Sequence, residues 1–554
     1  MSKLPLDNIG AQIDAILRAY IKVASYTHSA GEREVERFFC GQCAAQPYFA
    51  AHPELYGTYP ISGDPLGRSV CYAMYKGRSP RTVVLLHHYD IVNIEDFKLL
   101  APYAFEPELL HEQLRQIAAT LPAEAHDDLL DGGWLFGRGC CDMKGGGAIQ
   151  LALLARYAAA DTLDGNIIVL AVPDEENLSA GMRAAIGLLD RLREQYQLEY
   201  RLMINSEPHQ RKHAEQGLLS LGSVGKLMPF VYVRGSLAHA GKVFEGLNPL
   251  NLLAEAARRT ELNMQLADIV GDEAAPPPTW LYLRDNKSDY DVSMPLSAYG
   301  CISVQTLRQT PGQLLSRLRP LLEQSFAAVL AQMNDEYRRY AEARRQPAQP
   351  LPWRVKVSDY RQLYAEAEAA HGDAFRAGYR ERLLQLAGQL QQNDLDLIAA
   401  NLRLLEYVYG YIDDLNPRIV YGLLPPYYPS AGNVLLDDLP ARAARLPEHL
   451  LGFCRARFGQ SYQCENFYTG ISDLSYSSLQ NSAALRRELS ETMPLFGLLY
   501  DIPLEQIERN SMPCVNIGPW GKDFHKLTER VYKQDLYQRT PELLAEAIEF
   551  ILER

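Results

Sequence analysis

The chain has 554 residues, enough for about two to four domains of ordinary size. Hydrophobic residues make up 47% and charged residues 22%, which is typical of a globular protein and excludes a mainly disordered, collagen-like or coiled-coil chain. Lys and Arg number 55 against 68 for Asp and Glu, a formal net charge of -13. This balance argues against a general nucleic-acid binder, which needs a basic surface.

The beginning of the chain is polar and amphipathic, without the apolar run of a signal peptide. Nowhere do about 18 apolar residues follow one another, as a membrane-spanning helix would require. We therefore expect a cytoplasmic protein that binds neither membranes nor nucleic acids. The nine cysteines are an odd number in a long chain, which favours reduced thiols over a disulfide framework.

The first 222 residues read as an α/β pattern. Apolar residues at helical spacing predict two opening helices, at 7–20 and from Gly31. Short runs rich in Val, Ile and Leu then alternate with helical stretches at 147–160 and 180–196. This alternation indicates a mostly parallel sheet covered by helices on both sides. The predicted strands are 69–75, 82–87, 166–172 and 201–205.

From about residue 222 the predicted order changes to βαββαβ, which indicates a self-contained two-layer domain with an antiparallel sheet. Its predicted elements are 227–234, 248–262, strands around Leu281 and Ile302, 312–343 and 354–357. We expect this domain, 223–358, to be inserted into one α/β catalytic domain that 1–222 and 359–554 form together. The second part carries further predicted strands at 418–424, 495–499 and 514–517.

Acids and histidines cluster where predicted strands end, which is where open α/β sheets place their sites. His88 and Asp90 face the same side of a strand, so the carboxylate can orient the imidazole towards a metal. A glycine-rich turn at 137–147 surrounds Asp142. Because the turn matches neither nucleotide-binding pattern, we interpret it as a sharp backbone bend that aims this carboxylate. Taken singly, either feature could be an ordinary strand-end hydrogen bond or a helix cap.

Further acids follow the later strands. Glu175 and Glu176 belong to the acidic segment 173–177, which comes straight after the apolar strand 167–172. Glu207 ends the next strand, and His525 lies near the C-terminus. Adjacent acids are usually a solvated face or the acidic first turn of a helix. Carboxylates and imidazoles gathered from several strand ends, without a cysteine cluster, instead suit divalent ions such as zinc, manganese or cobalt.

Six motifs in this order resemble the M20 family of metallopeptidases and deacylases. They are His88-x-Asp90, Gly-Arg-Gly-x-x-Asp142-Met-Lys-Gly, Asp-Glu175-Glu176, Glu207-Pro, Gly235-x-x-x-His239, and Gly518-Pro519 followed by His525-x-x-x-Glu529. Within the family the chain is most similar to the arginine-utilisation proteins. The shared landmarks are Tyr290-Asp291-Val292, Pro425-Pro426-Tyr427-Tyr428-Pro429 and Gly470-Ile471-Ser472-Asp473-Leu474.

The resemblance implies a site for two divalent metal ions, with zinc expected first and cobalt or manganese as alternatives. The implied ligands are a shared Asp142, with His88 and Glu207 on one ion and Glu176 and His525 on the other. Asp90 would orient His88, and Glu175 would be the general base that takes a proton from the attacking water. His239 of the inserted domain would enter the partner subunit's site in a homodimer and stabilise the oxyanion.

Two segments depart from the family pattern. Many relatives that cleave a C-terminal amino acid carry an Arg and an Asn in the inserted domain to bind the substrate carboxylate. Here the equivalent stretch, 286–295, reads Asn-Lys-Ser-Asp-Tyr-Asp-Val-Ser-Met-Pro, which puts that route of carboxylate binding in question. The stretch 359–510 is longer than in short members, and its Tyr- and Pro-rich part at 421–429 could form a pocket wall or fill part of the core.

Two cysteine pairs offer other interpretations. Cys40-Gly41-Gln42-Cys43 follows an amphipathic run, so helical packing is favoured over a redox pair. Cys140 and Cys141 could be nucleophiles, although small residues are needed beside Asp142 for packing and no paired histidine can be named.

The sequence therefore predicts a two-metal amidohydrolase that cleaves an amide bond in a small peptide or an N-acylated amino acid, in amino-acid or arginine catabolism. We expect a homodimer formed through the inserted domain. One alternative is a non-catalytic metal-binding or regulatory protein with the same fold. Another is a cysteine-dependent hydrolase, which chelators would not inhibit.

Overall fold

The computed structural model describes residues 4–211, 213–392 and 394–553. They separate into two compact units, each described by itself below. The first unit combines Met1–Ser223, Ala431–Gln480 and Glu505–Arg554, and the second combines Val224–Ser430 and Asn481–Leu504. Within the described residues, no helix is both long enough and apolar enough to cross a membrane.

The N-terminal part of the first unit has the α/β elements that its sequence predicts. Its strands are β1 (Tyr56–Pro60), β2 (Ser69–Tyr75), β3 (Arg81–His88), β4 (Trp134–Phe136), β5 (Asn166–Val172), β6 (Glu199–Asn205), β7 (Gln216–Ser220) and β8 (Gly222–Ser223). Its helices are α1 (Ile9–Ile21), α2 (Glu34–Ala44), α3 (Pro47–Ala51), α4 (Pro107–Gln116), α5 (Ala123–Asp131), α6 (Lys144–Ala160) and α7 (Ala180–Tyr196). The predicted helical packing of Cys40 and Cys43 is confirmed, because both residues lie within α2.

The remaining elements follow in chain order. The next strands are β9 (Gly225–Arg234), β10 (Ile269–Val270), β11 (Glu273–Ala274), β12 (Thr279–Asp285), β13 (Ser297–Thr306), β14 (Val357–Asp359) and β15 (Arg418–Tyr428). Their helices are α8 (Pro249–Thr260), α9 (Pro311–Ala343), α10 (Tyr360–Gln391) and α11 (Leu397–Tyr409). The chain ends with β16 (Ala431–Gly432), β17 (Ser461–Glu465), β18 (Cys514–Asn516), β19 (Gly521–Lys522), β20 (Arg530–Tyr532), α12 (Ala441–Phe458), α13 (Ser482–Thr492), α14 (Leu504–Arg509) and α15 (Thr540–Leu552).

The first unit is built on an eight-stranded sheet with the order β1-β2-β5-β3-β6-β18-β7-β17. Strands β5, β3, β6 and β18 run parallel, whereas β1 and β2 join antiparallel at one edge. The predicted α/β fold is therefore confirmed, with a mixed sheet around a parallel centre. Strands β2 and β5 are buried along their whole length, which explains their continuous apolar runs. The carboxyl ends of β3, β5 and β6 meet at one edge of the sheet.

The second unit has a five-stranded sheet with the order β12-β13-β9-β15-β14. Helix α8 contacts β9, β12 and β13. Phe230 and Tyr232 of β9 instead share a hydrophobic cluster with residues of α10 and α11, such as Leu363 and Leu405. Alternate residues of a strand face opposite sides, and β9 is buried almost throughout. Helices therefore cover both faces of this sheet. The prediction of a two-layer domain is wrong, because the unit has a second layer of helices.

The predicted return to the first domain at residue 359 also differs from the structure. Residues 359–430 belong to the second unit, because β15 inserts between β9 and β14 and carries α10 and α11 with it. The strand predicted at 495–499 is absent from the described residues and is replaced by turns. Gly497 has a φ of +94° there, a conformation that a strand does not contain.

Candidate active site

Asp142 lies on a tight turn that leads from β4 into helix α6. Gly139 in this turn has a φ of +73°, in the region that favours glycine. The helix begins close against the sheet, since a Cβ on Gly146 would lie 2.2 Å from the carbonyl oxygen of Ser206. The glycines therefore let the turn bring the Asp142 carboxylate to the carboxyl ends of the parallel strands.

A buried carboxylate holds the main chain of this turn. Glu529 Oε1 accepts hydrogen bonds from the amides of Cys141 and Asp142, each at 3.2 Å. Its other oxygen accepts from Arg138 Nη1 at 2.7 Å. Burial raises the pKa of Glu529 to about 7. The sequence placed Glu529 in the last motif without a role, and the structure assigns it contact with the Asp142 turn.

The Asp142 carboxylate lies between two histidines. Its Oδ1 is 3.1 Å from His88 Nε2, and its Oδ2 is 3.1 Å from His525 Nε2. Glu207 Oε1 is 3.6 Å from His88 Nε2. On the other side, Glu176 Oε1 is 2.8 Å from His525 Nε2. The five side chains that sequence analysis expected as ligands therefore lie together, in two halves on either side of Asp142.

Asp90 contacts both the histidine and the acidic loop. His88 Nδ1 is 3.0 Å from the Asp90 carbonyl oxygen and 3.6 Å from its carboxylate Oδ1. The carboxylate accepts hydrogen bonds from the amides of Glu175 and Glu176, at 3.1 and 3.2 Å. Asp90 thus meets His88 chiefly through its main chain, and its side chain fixes the backbone of the two glutamates.

A buried arginine that sequence analysis missed also holds the acidic loop. Arg68 Nη1 donates to Asp174 Oδ1 at 2.7 Å and to Glu32 Oε2 at 2.8 Å. Glu32 Oε1 in turn accepts from the Asp174 amide at 3.0 Å. Arg68 is only 3% exposed. It lies in no motif, so no sequence signal could have marked it.

Acidic side chains outnumber imidazoles in the cluster, and their pKa values are strongly shifted. Burial raises the pKa of Glu175 and of Glu207 well above the usual range of a carboxyl group. Burial acts on Asp142 in the same direction, but hydrogen bonds with the two histidines outweigh it and lower the pKa of that carboxyl group. Hydrogen bonds to Asp142 and Glu176 raise the pKa of His525 to about 10. Four acids against two imidazoles favour the binding of cations.

The donor atoms form three groups in which all atoms lie within 4.8 Å of one another. The groups are His88 with Asp142 and Glu207, Asp142 with Glu176 and His525, and His88 with Glu175 and Glu176. Imidazole nitrogens and carboxylate oxygens are donors that zinc, cobalt and manganese accept. Because the first two groups share Asp142, the residues present fit two neighbouring divalent ions.

The cluster opens into a cavity of about 350 Å³ within the first unit. Besides the cluster, its walls include Gln210, Tyr468, Gly470, Ile471, Phe524 and Lys526. The Tyr- and Pro-rich part at 421–429 lies elsewhere, because most of it forms the buried strand β15 of the second unit. Within the long 359–510 stretch, residues 421–429 thus fill core and residues 468–471 form a pocket wall.

The other candidate residues are placed as follows. His239 belongs to the second unit, where it is exposed and its Nδ1 accepts a hydrogen bond from the Gly241 amide at 3.0 Å. Cys140 and Cys141 are fully buried, and burial raises the pKa of both thiols well above the usual range. A buried, protonated thiol is a poor nucleophile, so the structure gives a cysteine-dependent hydrolase no support.

Known proteins match this chain along most of its length. A family model described as Peptidase family M20/M25/M40 matches residues 116–553. Uncharacterized protein YqjN of Bacillus subtilis (strain 168) is 29% identical over 547 residues, which are 98% of this chain and 96% of the relative. Protein RocB of the same organism is 27% identical over 561 residues, 100% of this chain and 97% of the relative.

A solved structure is similar in fold. The di-peptidase Dug1p from Saccharomyces cerevisiae has a TM-score of 0.53 at 11% identity, covering 100% of this chain and 99% of that chain. At this identity the likeness supports the fold alone. The family model, in contrast, covers most of the sequence and confirms the resemblance drawn from the six motifs. The chain therefore belongs to peptidase family M20/M25/M40, and it is a hydrolase and metallopeptidase of that family.

Proposed function

We propose that this protein hydrolyses an amide bond in a small peptide or an N-acylated amino acid and uses two divalent metal ions, of which zinc is the first choice. The observation that carries the proposal is the pair of donor groups that share Asp142 inside one cavity. Two residues would hold each ion in addition to the shared carboxylate. These are His88 and Glu207 for one ion, and Glu176 and His525 for the other.

Glu175 is the general base in this proposal. When bound, the metal ions supply Lewis-acid activation of the attacking water and of the substrate carbonyl. Glu175 takes a proton from the water and passes it to the leaving amine. Two features support this role. The hydrogen bond from the Glu175 amide to Asp90 Oδ1 fixes the start of the side chain, and burial raises the pKa of Glu175, which makes its carboxylate a stronger base.

The second unit serves in dimer formation and in catalysis. Its edge strand β12 exposes Leu281 by 54% and Leu283 by 44%. An exposed apolar edge is suited to pairing with another chain, so we propose a homodimer formed through this unit. His239 would then act in the partner subunit's site and donate a hydrogen bond to the oxyanion.

The substrate is small in this proposal. A cavity of about 350 Å³ lies at the lower end of the range for small-molecule sites. The resemblance to arginine-utilisation proteins and the similarity to Protein RocB lead us to place N-acylated arginine and ornithine first among the substrates to be tested. We also propose a cytoplasmic location, because an odd number of cysteines, nine, favours reduced thiols.

Metal analysis followed by a substrate panel tests the proposal. We expect about two divalent ions per chain after saturation with zinc, cobalt or manganese, because the ligands suffice for two ions with open positions. Purified protein is then incubated with N-acyl amino acids and dipeptides, and products are detected by mass spectrometry. Chelation should abolish hydrolysis, and added metal should restore it.

Two outcomes would contradict the proposal. A stoichiometry that stays at or below one ion per chain under saturating metal would exclude the two-metal site. A metal-replete protein that is inert toward the whole panel would favour a non-catalytic, metal-binding protein on the same fold.

A further inference from the structure

Tyr468 forms part of the wall of the active-site cavity and lies in the segment 468–471, which holds none of the proposed metal ligands. Its amide donates a hydrogen bond to the Gly222 carbonyl oxygen at 2.9 Å, and it forms an isolated parallel bridge with Ser223. Farther along the chain, the Ser472 amide donates to Ser223 Oγ at 3.2 Å. Strand β8 therefore holds the main chain on both sides of the pocket-lining residues.

Gly470 fixes the place of the Tyr468 ring. A Cβ on Gly470 would lie 2.5 Å from Cε1, Cζ and the hydroxyl oxygen of Tyr468. The hydroxyl end of the ring thus passes directly beside Gly470, and Gly470 itself lines the cavity. Any larger side chain would occupy the space of the phenol. This contact explains why a glycine is needed at position 470.

The phenol shares its surroundings with the acids of the cluster. Tyr468 lines the same cavity as Asp142 and Glu175, and the charges of Glu207, Asp142, Glu175 and Glu176 all act on its hydroxyl group. Among the described residues no hydrogen bond to this hydroxyl is found, and only burial and the charges of nearby groups act on it. A tyrosine hydroxyl is a donor as well as an acceptor, so it can contribute what the surrounding carboxylates cannot.

We propose that Tyr468 is a catalytic residue whose hydroxyl donates a hydrogen bond to the substrate carbonyl oxygen as that oxygen gains negative charge. The inference rests on the proposed amide hydrolysis and adds a donor from the first unit to it. The phenol keeps its proton throughout, so it stabilises charge and takes no part in the proton transfer that Glu175 carries out. Such a donor acts more strongly in the transition state than in the ground state.

The first test compares Tyr468→Phe with Tyr462→Phe. Both variants lose only a phenol oxygen, and Tyr462 lies six residues earlier, outside the cavity lining. For Tyr468→Phe we expect kcat to fall by about 10²–10³, KM to change by less than about threefold and the metal content to stay at the wild-type value. Tyr462→Phe should keep kcat within about twofold of wild type.

A second variant moves the phenol without removing it. Gly470→Ala should lower kcat in the same direction as Tyr468→Phe, because its methyl group needs the space of the ring. In the double variant Gly470→Ala, Tyr468→Phe the two effects should not add, since both act through one hydroxyl. Additive losses would mean that Gly470→Ala disturbs the pocket by another route and would remove this support.

A binding probe separates the inference from the proposed function. In a phosphinate dipeptide analogue, phosphorus takes the place of the tetrahedral carbon and carries two oxygens that share a negative charge. Calorimetry should show that this analogue binds Tyr468→Phe at least tenfold more weakly than wild type. If wild type hydrolyses the amide panel and Tyr468→Phe matches it in kcat and in phosphinate affinity, Tyr468 is not the donor. Loss of metal from Tyr468→Phe would mean that Tyr468 is a metal ligand and not the proposed donor. A wild-type protein that fails the panel overturns the proposed function itself.

Discussion

Glu175 and Glu176 are neighbours in sequence with different contacts. Glu176 Oε1 lies 2.8 Å from His525 Nε2, which is the contact expected of two ligands of one ion. The Glu175 carboxylate instead forms a donor group with His88 and Glu176, and burial is the largest influence on the pKa of both glutamates. Asp90 holds the amides of both residues, so the direction of each side chain follows from a common anchor.

The two glutamates should therefore respond differently to truncation. Glu175→Ala should keep both metal ions and lose most turnover, because it removes the base and no proposed ligand. Glu176→Ala should lose one ion per chain as well as turnover. Metal content by inductively coupled plasma mass spectrometry and single-turnover assays measure both quantities. Equal metal loss in the two variants would contradict this division of roles.

The hydrogen bonds of His209, a buried residue of the first unit, depend on its protonation state. Its Nδ1 is 2.9 Å from the Gly518 carbonyl oxygen, and Arg211 Nε donates to its Nε2 at 3.0 Å. Nε2 can accept only in the neutral ring. Burial, followed by the charge of Arg211, lowers the pKa of His209 from 6.5 to about 4.

The sign of the pH effect follows from this lowered pKa. The unfolded chain binds a proton to His209 below pH 6.5 and the folded chain only near pH 4, so the contribution of His209 is complete above pH 6.5 and is lost as the pH falls towards 4. The stability advantage of wild type over His209→Gln should therefore shrink from pH 7 to pH 5. The expected change in unfolding free energy is at most about 1.4 kcal/mol per pH unit, and melting temperatures measured across this range should converge accordingly. The partly exposed His126→Gln is the control, and a wild-type advantage that does not change with pH would contradict the assignment.

At the scale of elements, the loop after β5 is held by charges that come from distant parts of the chain. Arg68 precedes β2, Glu32 precedes α2, and both bond to Asp174 at the start of the loop. Arg68 also pairs with Asp64 at 2.8 Å. One guanidinium group thus joins three buried carboxylates, which its forked geometry allows and a lysine ammonium does not.

Arg68→Lys tests whether this network positions the two glutamates. We expect a loss of turnover of about 10–100-fold and weaker retention of one metal ion, as is usual for residues that support metal ligands indirectly. Arg156→Lys is a matched control, because the hydrogen bonds of Arg156 to other described residues go to Gln12 and to the main chain of Asp7, which lie outside the acidic loop. If both variants keep wild-type turnover and metal content, the network serves stability alone.

Most elements could be predicted because each leaves a local pattern. Residues 167–172 are apolar at every position, and they lie in β5, which has the predicted bounds 166–172. Strand β15 shows the limit of such patterns. The apolar sequence of 418–424 predicts that this strand is buried, but it does not predict which strand lies beside it. The pairing of β15 with β9 depends on register and side-chain packing between segments that are more than 180 positions apart. For the same reason the third layer of the second unit was missed.

At the scale of the whole molecule, the proposed catalytic groups are divided between two units. The metal-ligand candidates and Glu175 all belong to the first unit, whereas His239 belongs to the second. If the proposed homodimer brings His239 to the partner subunit's site, each complete site combines residues from two chains.

Mixed dimers test this arrangement. Glu175→Ala and His239→Ala homodimers should each be nearly inactive. After subunit exchange, half of the dimers are mixed, and one of the two sites in each combines an intact base with an intact histidine. Roughly a quarter of wild-type activity should then return. If native mass spectrometry shows exchange and activity stays near zero, His239 acts within its own chain or outside catalysis.

The sequence by itself determined the α/β pattern, the start of a second region near residue 222 and the acids and histidines at strand ends, because periodicity and strand ends are local properties that a linear pattern records. The resemblance to the family then implied which of these residues are metal ligands. Only the tertiary structure decided which residues surround that cluster. Glu529 reaches Arg138 across 391 positions, Arg68 reaches Asp174 across 106, and Tyr468 enters the cavity from a segment with no recognisable catalytic pattern. Such contacts follow from the packing of distant segments, which no local pattern encodes.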